Sequence, residues 1–256
     1  IAGQWLPSDS WTGDPFSFVD QYDWDHSRDI EPNKGWGDKG DVYYQQLVDN
    51  VRKFKGMSAP EVPSPSKSIV LGKAGEWTNV QPYFTHYKGN TFHRDHRGRY
   101  EMYYRNTSGR NDIIGAKVAR DNSNLFFYVE TAEQMSASTD ENWMFLFIDI
   151  DRNKNTGWQG YDFLINRQNP KDKKVLVERN IGNDWSWTSI GAAHMVQSSH
   201  TLEIEIPKSY LEVPSGPLDL EFKWTDNMQE LGDIMDFYVS GDAAPGGRFN
   251  FIYSVK

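Results

Sequence analysis

Short strand-like segments follow one another at close intervals through the C-terminal part of the chain. Ten are predicted, each rich in aliphatic or aromatic residues: 113–119, 125–131, 143–149, 161–166, 174–181, 190–197, 201–206, 218–224, 235–239 and 249–254. Clusters of Asp, Asn, Gly and Ser, as in residues 121–124, 153–157 and 182–184, separate neighbouring segments and favour turns. Many short strands without long helical patterns predict an all-β fold, an antiparallel β-sandwich.

The pattern within three segments predicts how they are placed. Residues 201–206 alternate between apolar and polar side chains, which is typical of a strand with one buried face and one solvent-exposed face. Residues 143–148 are apolar throughout, which predicts a central strand covered on both faces. Pro207 and the four residues after it predict a single helical turn.

A proline-rich stretch divides the chain. Residues 58–67 contain three prolines among small residues, which predicts a stiff, extended linker. Upstream, residues 1–57 combine an irregular lead with one predicted helix at 42–54, whose apolar residues recur at three-to-four spacing. One helix cannot bury a core alone, so this segment is expected to pack on the downstream domain or to belong to another domain. Residues 68–256 are predicted to form the sandwich.

Composition excludes several classes of function. The absence of cysteine excludes disulfides, thiolate metal sites and a cysteine nucleophile. A net charge of −9 argues against nucleic acid as a partner, because phosphate contacts need clustered Lys and Arg. No apolar run approaches the roughly 18 residues of a membrane span. The chain opens at Ile1 without a charged-then-apolar leader, which predicts a mature or trimmed product.

Aromatic residues make up 14% of the chain, including 10 tryptophans. A large β-sandwich core and a sugar-binding face both use such residues. Composition leaves these two interpretations open.

Oxygen-bearing side chains recur at every second position after one predicted strand: Asp149, Asp151, Asn153 and Asn155. Calcium takes six to eight oxygen ligands at about 2.3–2.6 Å, and a tight loop can supply carboxylate and amide oxygens from such spacing. The pattern predicts a calcium site formed by these four residues. The alternative is a polar hairpin tip, in which Asp and Asn serve the turn geometry.

Three tryptophans and one arginine are candidate sugar-binding residues. Trp158, Trp185 and Trp187 lie in loop or strand-edge contexts, where a sugar can stack on an indole face. Trp185 and Trp187 would share one side of a strand and form a flat platform. The alternative is that they cover one end of the sandwich. Arg248 is a candidate donor to sugar hydroxyls, or else a partner of a carboxylate such as Asp242.

Two further polar clusters favour structural roles. His93 and His96 would point to opposite faces of a strand, which favours a polar hairpin tip over a metal site. The early segment contains several carboxylates, which suit either a glycosidase pair or loop ion pairs. They are Asp20, Asp23, Asp25, Asp29 and Glu31.

From about residue 72 onward, the order of segments resembles that of the family 9 carbohydrate-binding modules. The matching runs are Gly-Glu-Trp at 75–77, Ala-Lys-Val-Ala-Arg-Asp at 116–121, Asn-Leu-Phe-Phe-Tyr-Val at 124–129, Phe-Ile-Asp at 147–149, Thr-Gly-Trp at 156–158, Tyr-Asp-Phe-Leu-Ile-Asn at 161–166, Leu-Glu-Ile-Glu-Ile-Pro at 202–207 and Phe-Lys-Trp-Thr-Asp-Asn at 222–227. The resemblance implies an antiparallel sandwich with a sugar slot between two tryptophans. Residues 138–142 and 241–247, where those tryptophans would lie, contain none.

Residues 1–57 resemble the tail of sugar-processing barrel proteins of the glycoside hydrolase 71/99-like kind. The relevant runs are Phe-Val-Asp-Gln-Tyr at 18–22, Ser-Arg-Asp-Ile-Glu-Pro at 27–32 and Tyr-Tyr-Gln-Gln-Leu-Val-Asp-Asn-Val-Arg at 43–52. This resemblance implies that the chain is the C-terminal part of a longer enzyme.

Together these observations predict a non-catalytic carbohydrate-binding or accessory module of a secreted glycoside hydrolase. The expected partners are a carbohydrate and an upstream catalytic domain, and the expected location is secreted, periplasmic or at the cell surface. One alternative is a glycoside hydrolase fragment whose sandwich is structural and whose residues 1–57 complete the active site. Another is a packing domain that binds nothing.

Overall fold

A computed structural model describes residues 62–91, 93–97, 103–213 and 217–255 of the chain. The predicted helix at 42–54, the carboxylates of the early segment and the glycoside hydrolase resemblance lie outside these residues. The elements are β1 (Tyr83–Thr85), β2 (Arg94–Arg97), β3 (Tyr103–Asn106), β4 (Ile113–Arg120), β5 (Asn124–Thr131), β6 (Phe145–Asp149), β7 (Phe163–Ile165), β8 (Lys174–Asn180), β9 (Trp187–Gln197), β10 (Thr201–Pro207), β11 (Leu218–Asp226), α1 (Asp236–Val239), β12 (Asp242–Ala244) and β13 (Phe251–Val255).

One large antiparallel sheet contains every strand of the described residues except β2 and β3. Its order is β1-β4-β5-β10-β9-β8-β7-β6-β11-β12, and β13 also pairs with β11. The two ends of the sheet approach each other, since the Ile113 N–H on β4 donates to Asp242 Oδ2 on β12 over 2.8 Å. The Phe84 ring on β1 also packs on Phe222 of β11, with ring centroids 5.1 Å apart. The sheet thus folds over its own core, which confirms the predicted all-β, sandwich-like class.

Strands β2 and β3 form a separate two-stranded sheet. Residues Arg94–Arg105 belong to a different compact unit from residues 106–256. Within this two-stranded sheet, the Tyr103 hydroxyl donates to Asp95 Oδ1 over 2.9 Å, and the His96 ring lies 5.4 Å from the Tyr104 ring. His96 thus packs on an aromatic ring within the predicted polar hairpin.

Strand β6 is the centre of the packing, and all five of its residues are buried. Leu146 and Ile148 point into the main core between the folded halves of the sheet. Phe145 and Phe147 point to the opposite face, where a second apolar cluster covers them. This arrangement confirms the prediction, made from the uninterrupted apolar run, that the strand is covered on both faces.

The structure corrects two local predictions. Residues 235–239 were expected as a strand, but Asp236–Val239 form α1. The buried Asp236 carboxylate draws the chain into a turn here, because it accepts hydrogen bonds from the Gln229 N–H and the Ser240 hydroxyl. Glu203, expected on the solvent-exposed face of β10, is 5% exposed and accepts a 3.0 Å hydrogen bond from the Gly72 N–H.

The described part of the predicted linker, residues 62–67, lies on the sandwich. Ser64 N–H donates to the Gln81 carbonyl over 2.9 Å, and Lys67 N–H donates to the Arg120 carbonyl over 2.8 Å. Arg120 Nη1 returns a 2.8 Å hydrogen bond to the Ser64 carbonyl. These bonds tie the stretch to Gln81 and Arg120. The domain boundary itself stays a prediction.

Candidate functional site

An acidic hairpin joins β6 to β7. Asp149 ends β6, and Asp162 immediately precedes β7. Because Ile148 pairs with Phe163, the antiparallel register brings these two aspartates side by side across the hairpin. Asp151 completes the group, and carboxylate oxygens of all three residues lie within 4.8 Å of one another. Three convergent carboxylates could hold a metal ion.

The triad differs from the predicted calcium set. Asp149 and Asp151 belong to it, whereas the Asn153 amide oxygen accepts hydrogen bonds from the Asn155 N–H and side chain, at 3.1 and 3.2 Å. The two asparagines therefore serve the turn geometry that the alternative interpretation described. Asp162 was missed because it lies 13 residues after Asp149, in the next predicted strand. Its cross-strand position would have been the only signal.

The three carboxylates differ in burial: Asp149 is buried, Asp162 is half-buried and Asp151 is exposed. Asp149 is 0% exposed, and its Oδ1 has no hydrogen-bond partner among the described residues. Burial raises the pKa of Asp149, although the Lys154 ammonium, 2.7 Å from Oδ2, opposes this shift. Burial also raises the pKa of Asp162 to about 6, and the negative charges of Asp151 and Asp149 add to that rise. A buried carboxylate oxygen without a donor is costly, so a cation would stabilise this arrangement.

An aromatic cluster lies on the same hairpin and on the outer face of the sheet. Its buried members are Phe145, Phe147, Trp158, Tyr161, Leu164, Met228, Phe237 and Ala243, and Trp185, Trp187 and Ile234 pack against them. Trp158 is only 3% exposed, and its backbone is paired with that of Tyr161 in a tight turn. The Trp158 indole therefore packs inside the cluster, as the structural alternative expected.

Trp185 and Trp187 are half-buried at the edge of this cluster, which is called the indole cluster below. Their rings meet edge to face, with centroids 5.5 Å apart and planes at 84°. The predicted flat platform is therefore wrong. The reason is that β9 begins at Trp187, so Trp185 lies in the preceding turn and strand alternation does not set its direction.

Arg248 lies close enough to Tyr161, a member of the indole cluster, for its positive charge to act on the Tyr161 hydroxyl. Its backbone N–H donates to the Tyr238 hydroxyl over 3.3 Å. Burial raises the pKa of Tyr161 well above its usual range, and the positive charge of Arg248 is one of the influences opposing that shift. Asp242, the alternative partner considered for Arg248, directs its carboxylate to Asn90 and to the Ile113 N–H, both at 2.8 Å.

A buried ion pair ties together the loops at one end of the sandwich. Arg110 Nε donates to Asp226 Oδ2 over 2.8 Å, and Arg110 Nη2 donates to the Glu141 carbonyl over 2.5 Å. Asp226 Oδ1 accepts a 3.1 Å hydrogen bond from the Met144 N–H. Burial raises the pKa of Asp226 to about 6 despite the nearby guanidinium. Arg110 and Asp226 lie 116 positions apart, so sequence spacing gave no signal of this pair.

In the described ranges, no helix is long and apolar enough to cross a membrane. No protein-family model, curated protein or solved structure matches this chain.

Proposed function

We propose that this chain is a non-catalytic carbohydrate-binding module of a secreted glycoside hydrolase and that Trp185 and Trp187 contact the sugar. The observation that carries the proposal is the half-buried, perpendicular indole pair. Such a pair offers one ring face for stacking and a second ring as a wall beside it. Tryptophans with part of the ring buried and part open are suited to recognition surfaces.

The turn that carries the indoles is held in place by its own hydrogen bonds. The Asn180 side chain donates to the carbonyls of Asp184 and Ser186, at 2.7 and 3.1 Å. The Asn183 side chain donates to the Asn155 carbonyl in the acidic hairpin over 3.3 Å. A site that is ordered before the ligand arrives avoids much of the entropic cost of binding.

Removing either indole tests sugar binding. Trp185→Ala and Trp187→Ala should each weaken retention by a polysaccharide gel about tenfold, which corresponds to about 1.4 kcal/mol. Affinity electrophoresis across a broad panel of glycans measures this effect. Tyr87→Ala is the matched control, because Tyr87 is 75% exposed and lies outside the indole cluster. Absence of retention of the wild-type chain across the panel would overturn the proposal.

The proposal extends to calcium at the acidic hairpin. The three aspartates supply hard oxygen ligands, and Asp149 Oδ1 is a buried acceptor without a donor. Trp158 and Tyr161 lie on the same hairpin, and Trp158 contacts Trp185 with ring centroids 4.5 Å apart. Calcium would therefore stiffen the support beneath the indole pair.

Asp162→Asn tests the calcium site. The substitution removes one of three mutually repelling carboxylates, while its amide oxygen can still accept the 2.9 Å hydrogen bond from the Ile150 N–H. In chelator at pH 7.5 the variant should be more stable than the wild type by about 1 kcal/mol, a value that allows for solvent screening at this half-buried group. Calcium should stabilise the wild type and leave the variant unchanged.

Denaturation midpoints with calcium and with chelator measure both effects. Asp184→Asn, at an exposed position of the neighbouring turn, is the control and should behave as the wild type does. Equal wild-type midpoints in the two buffers would contradict calcium binding.

A structural scaffold is the second candidate function. Four of the six described tryptophans are less than 10% exposed: Trp77, Trp143, Trp158 and Trp224. Their burial favours a module whose aromatic residues serve packing, with residues 1–57 completing the active site of a longer enzyme. Absence of binding to every glycan in the panel, together with glycosidase activity only in a longer protein, would favour this candidate.

A further inference from the structure

Lys154 lies within the acidic hairpin and bridges two strands. Its ammonium is 2.7 Å from Asp149 Oδ2 at the end of β6 and also pairs with Glu221 on β11. Gly160 makes room for it, because a Cβ at that position would lie 2.8 Å from Lys154 Cδ and 3.4 Å from Asp149 Oδ2. The lysine is therefore held at the triad by both packing and charge.

The positive charges of the hairpin do not balance its carboxylates. Lys154 forms ion pairs with Asp149 and Glu221. Arg152 instead forms ion pairs with Asp219 and Glu221, at 3.0 and 3.3 Å. Asp151 and Asp162 belong to the triad but are not ion-paired with either cation within the described residues. Asp149 keeps one buried oxygen without a hydrogen-bond partner. One lysine thus neutralises the triad only in part.

We infer that Lys154 is an internal competitor of the divalent cation and sets the concentration at which the site fills. This inference rests on the calcium site proposed above. The ammonium occupies one oxygen of Asp149, the most buried member of the triad. A divalent ion at the triad would repel the ammonium, because like charges a few ångströms apart interact strongly in a partly buried site.

Glu221 can accept the Lys154 ammonium once it is released from Asp149. Glu221 already pairs with Lys154, and its Oε2 is fixed by a 2.8 Å hydrogen bond from the Asn250 side chain. Cation binding would therefore transfer Lys154 from a shared position to Glu221 alone. This exchange weakens calcium binding relative to a triad without the lysine, toward the roughly 10⁻⁴–10⁻³ M range of extracellular modules.

Calorimetric titration with calcium tests the competition. Lys154→Gln should bind calcium about tenfold more tightly than the wild type, whereas Lys154→Arg, which keeps the charge, should remain close to it. Arg179→Gln is the matched control: it removes a cation from the neighbouring strand β8 whose carboxylate partner is Glu212, and it should change the affinity less than threefold. Equal or weaker binding by Lys154→Gln overturns the inference.

Chemical modification of the unmutated chain tests displacement directly. Saturating calcium should raise the rate of Lys154 acylation several-fold, as followed by peptide mass spectrometry, because the amine loses its contact with Asp149. An equal or slower rate overturns the inference. If neither the wild type nor Lys154→Gln binds calcium, the calcium site itself fails together with the inference. If both bind equally, only the competition fails.

Discussion

Arg110→Ala should lower the free energy of unfolding by about 3–5 kcal/mol at pH 8, the usual cost of removing one partner from a buried ion pair. Asp226 is 0% exposed at its side chain, and Arg110 is the cation beside it. Without the guanidinium, an ionised Asp226 would remain buried with the Met144 N–H as a donor. Chemical denaturation measures the loss.

The cost should depend on pH. The pKa of Asp226 is already raised by burial to about 6 in the folded protein. A raised folded pKa contributes stability that is present below the unfolded value near 4 and is lost as pH rises through about 6. Loss of Arg110 raises the folded pKa further, so the variant should continue to lose stability above pH 6. At pH 4.5, where Asp226 is protonated in the folded state, the cost should fall to about 1 kcal/mol.

Two controls separate the buried pair from a general loss of charge. Arg152→Ala removes an arginine with two carboxylate partners at an exposed site and should cost less than about 1 kcal/mol. In an Asp226→Asn background, Arg110→Ala should also cost about 1 kcal/mol, because no buried charge remains. A cost that is the same at pH 4.5 and pH 8 would contradict the electrostatic explanation.

The fold could be predicted from local patterns because they reflect burial directly. The uninterrupted apolar run of β6 predicted burial on both faces, and the structure places Phe147 and Ile148 on opposite sides of the sheet. Strands β1 and β12 have only three residues each, which is too short for an alternating pattern to appear. Strand β7 is equally short, but its uninterrupted buried apolar run, Phe163–Ile165, made it predictable.

The sites were less predictable because they depend on pairing across strands. Asp162 joins Asp149 only through the register of β6 and β7, and Arg110 meets Asp226 only once distant loops converge. The perpendicular angle between Trp185 and Trp187 follows from where β9 begins, at a boundary that spacing does not fix. Sequence reasoning thus found the residue types and two of the three triad aspartates, but not the partners.

The acidic hairpin and the indole cluster are physically connected. The Tyr161 hydroxyl donates to the Asn250 side-chain oxygen over 2.6 Å, and the Asn250 side chain donates to Glu221 over 2.8 Å. Glu221 in turn pairs with Lys154 beside Asp149. A chain of hydrogen bonds and ion pairs therefore leads from the aromatic rings to the carboxylates. We expect a substitution in the acidic hairpin to alter the indole cluster, and a substitution in the indole cluster to alter the acidic hairpin.

Phe147→Ala should produce the second large effect, a loss of about 3–5 kcal/mol in the free energy of unfolding. Phe147 is 0% exposed and packs against several aromatic rings of the indole cluster. Its ring centroid lies 5.1 Å from that of Tyr161, 5.4 Å from that of Phe237 and 6.1 Å from that of Trp185. The cavity would remove the support under Trp185, so sugar retention should fall in the folded variant and tryptophan emission should shift to the red.

Phe126→Ala is the matched control for this prediction. Phe126 is also 0% exposed, but it belongs to a different apolar cluster, with Ile69, Trp77 and Val80. It should lose similar stability by denaturant titration while keeping sugar retention, measured at a temperature where both variants are folded. Phe147→Leu, which keeps most of the volume, should lie between the wild type and Phe147→Ala in both measurements. Unchanged sugar retention in a folded Phe147→Ala variant would show that the indole pair does not depend on the cluster beneath it.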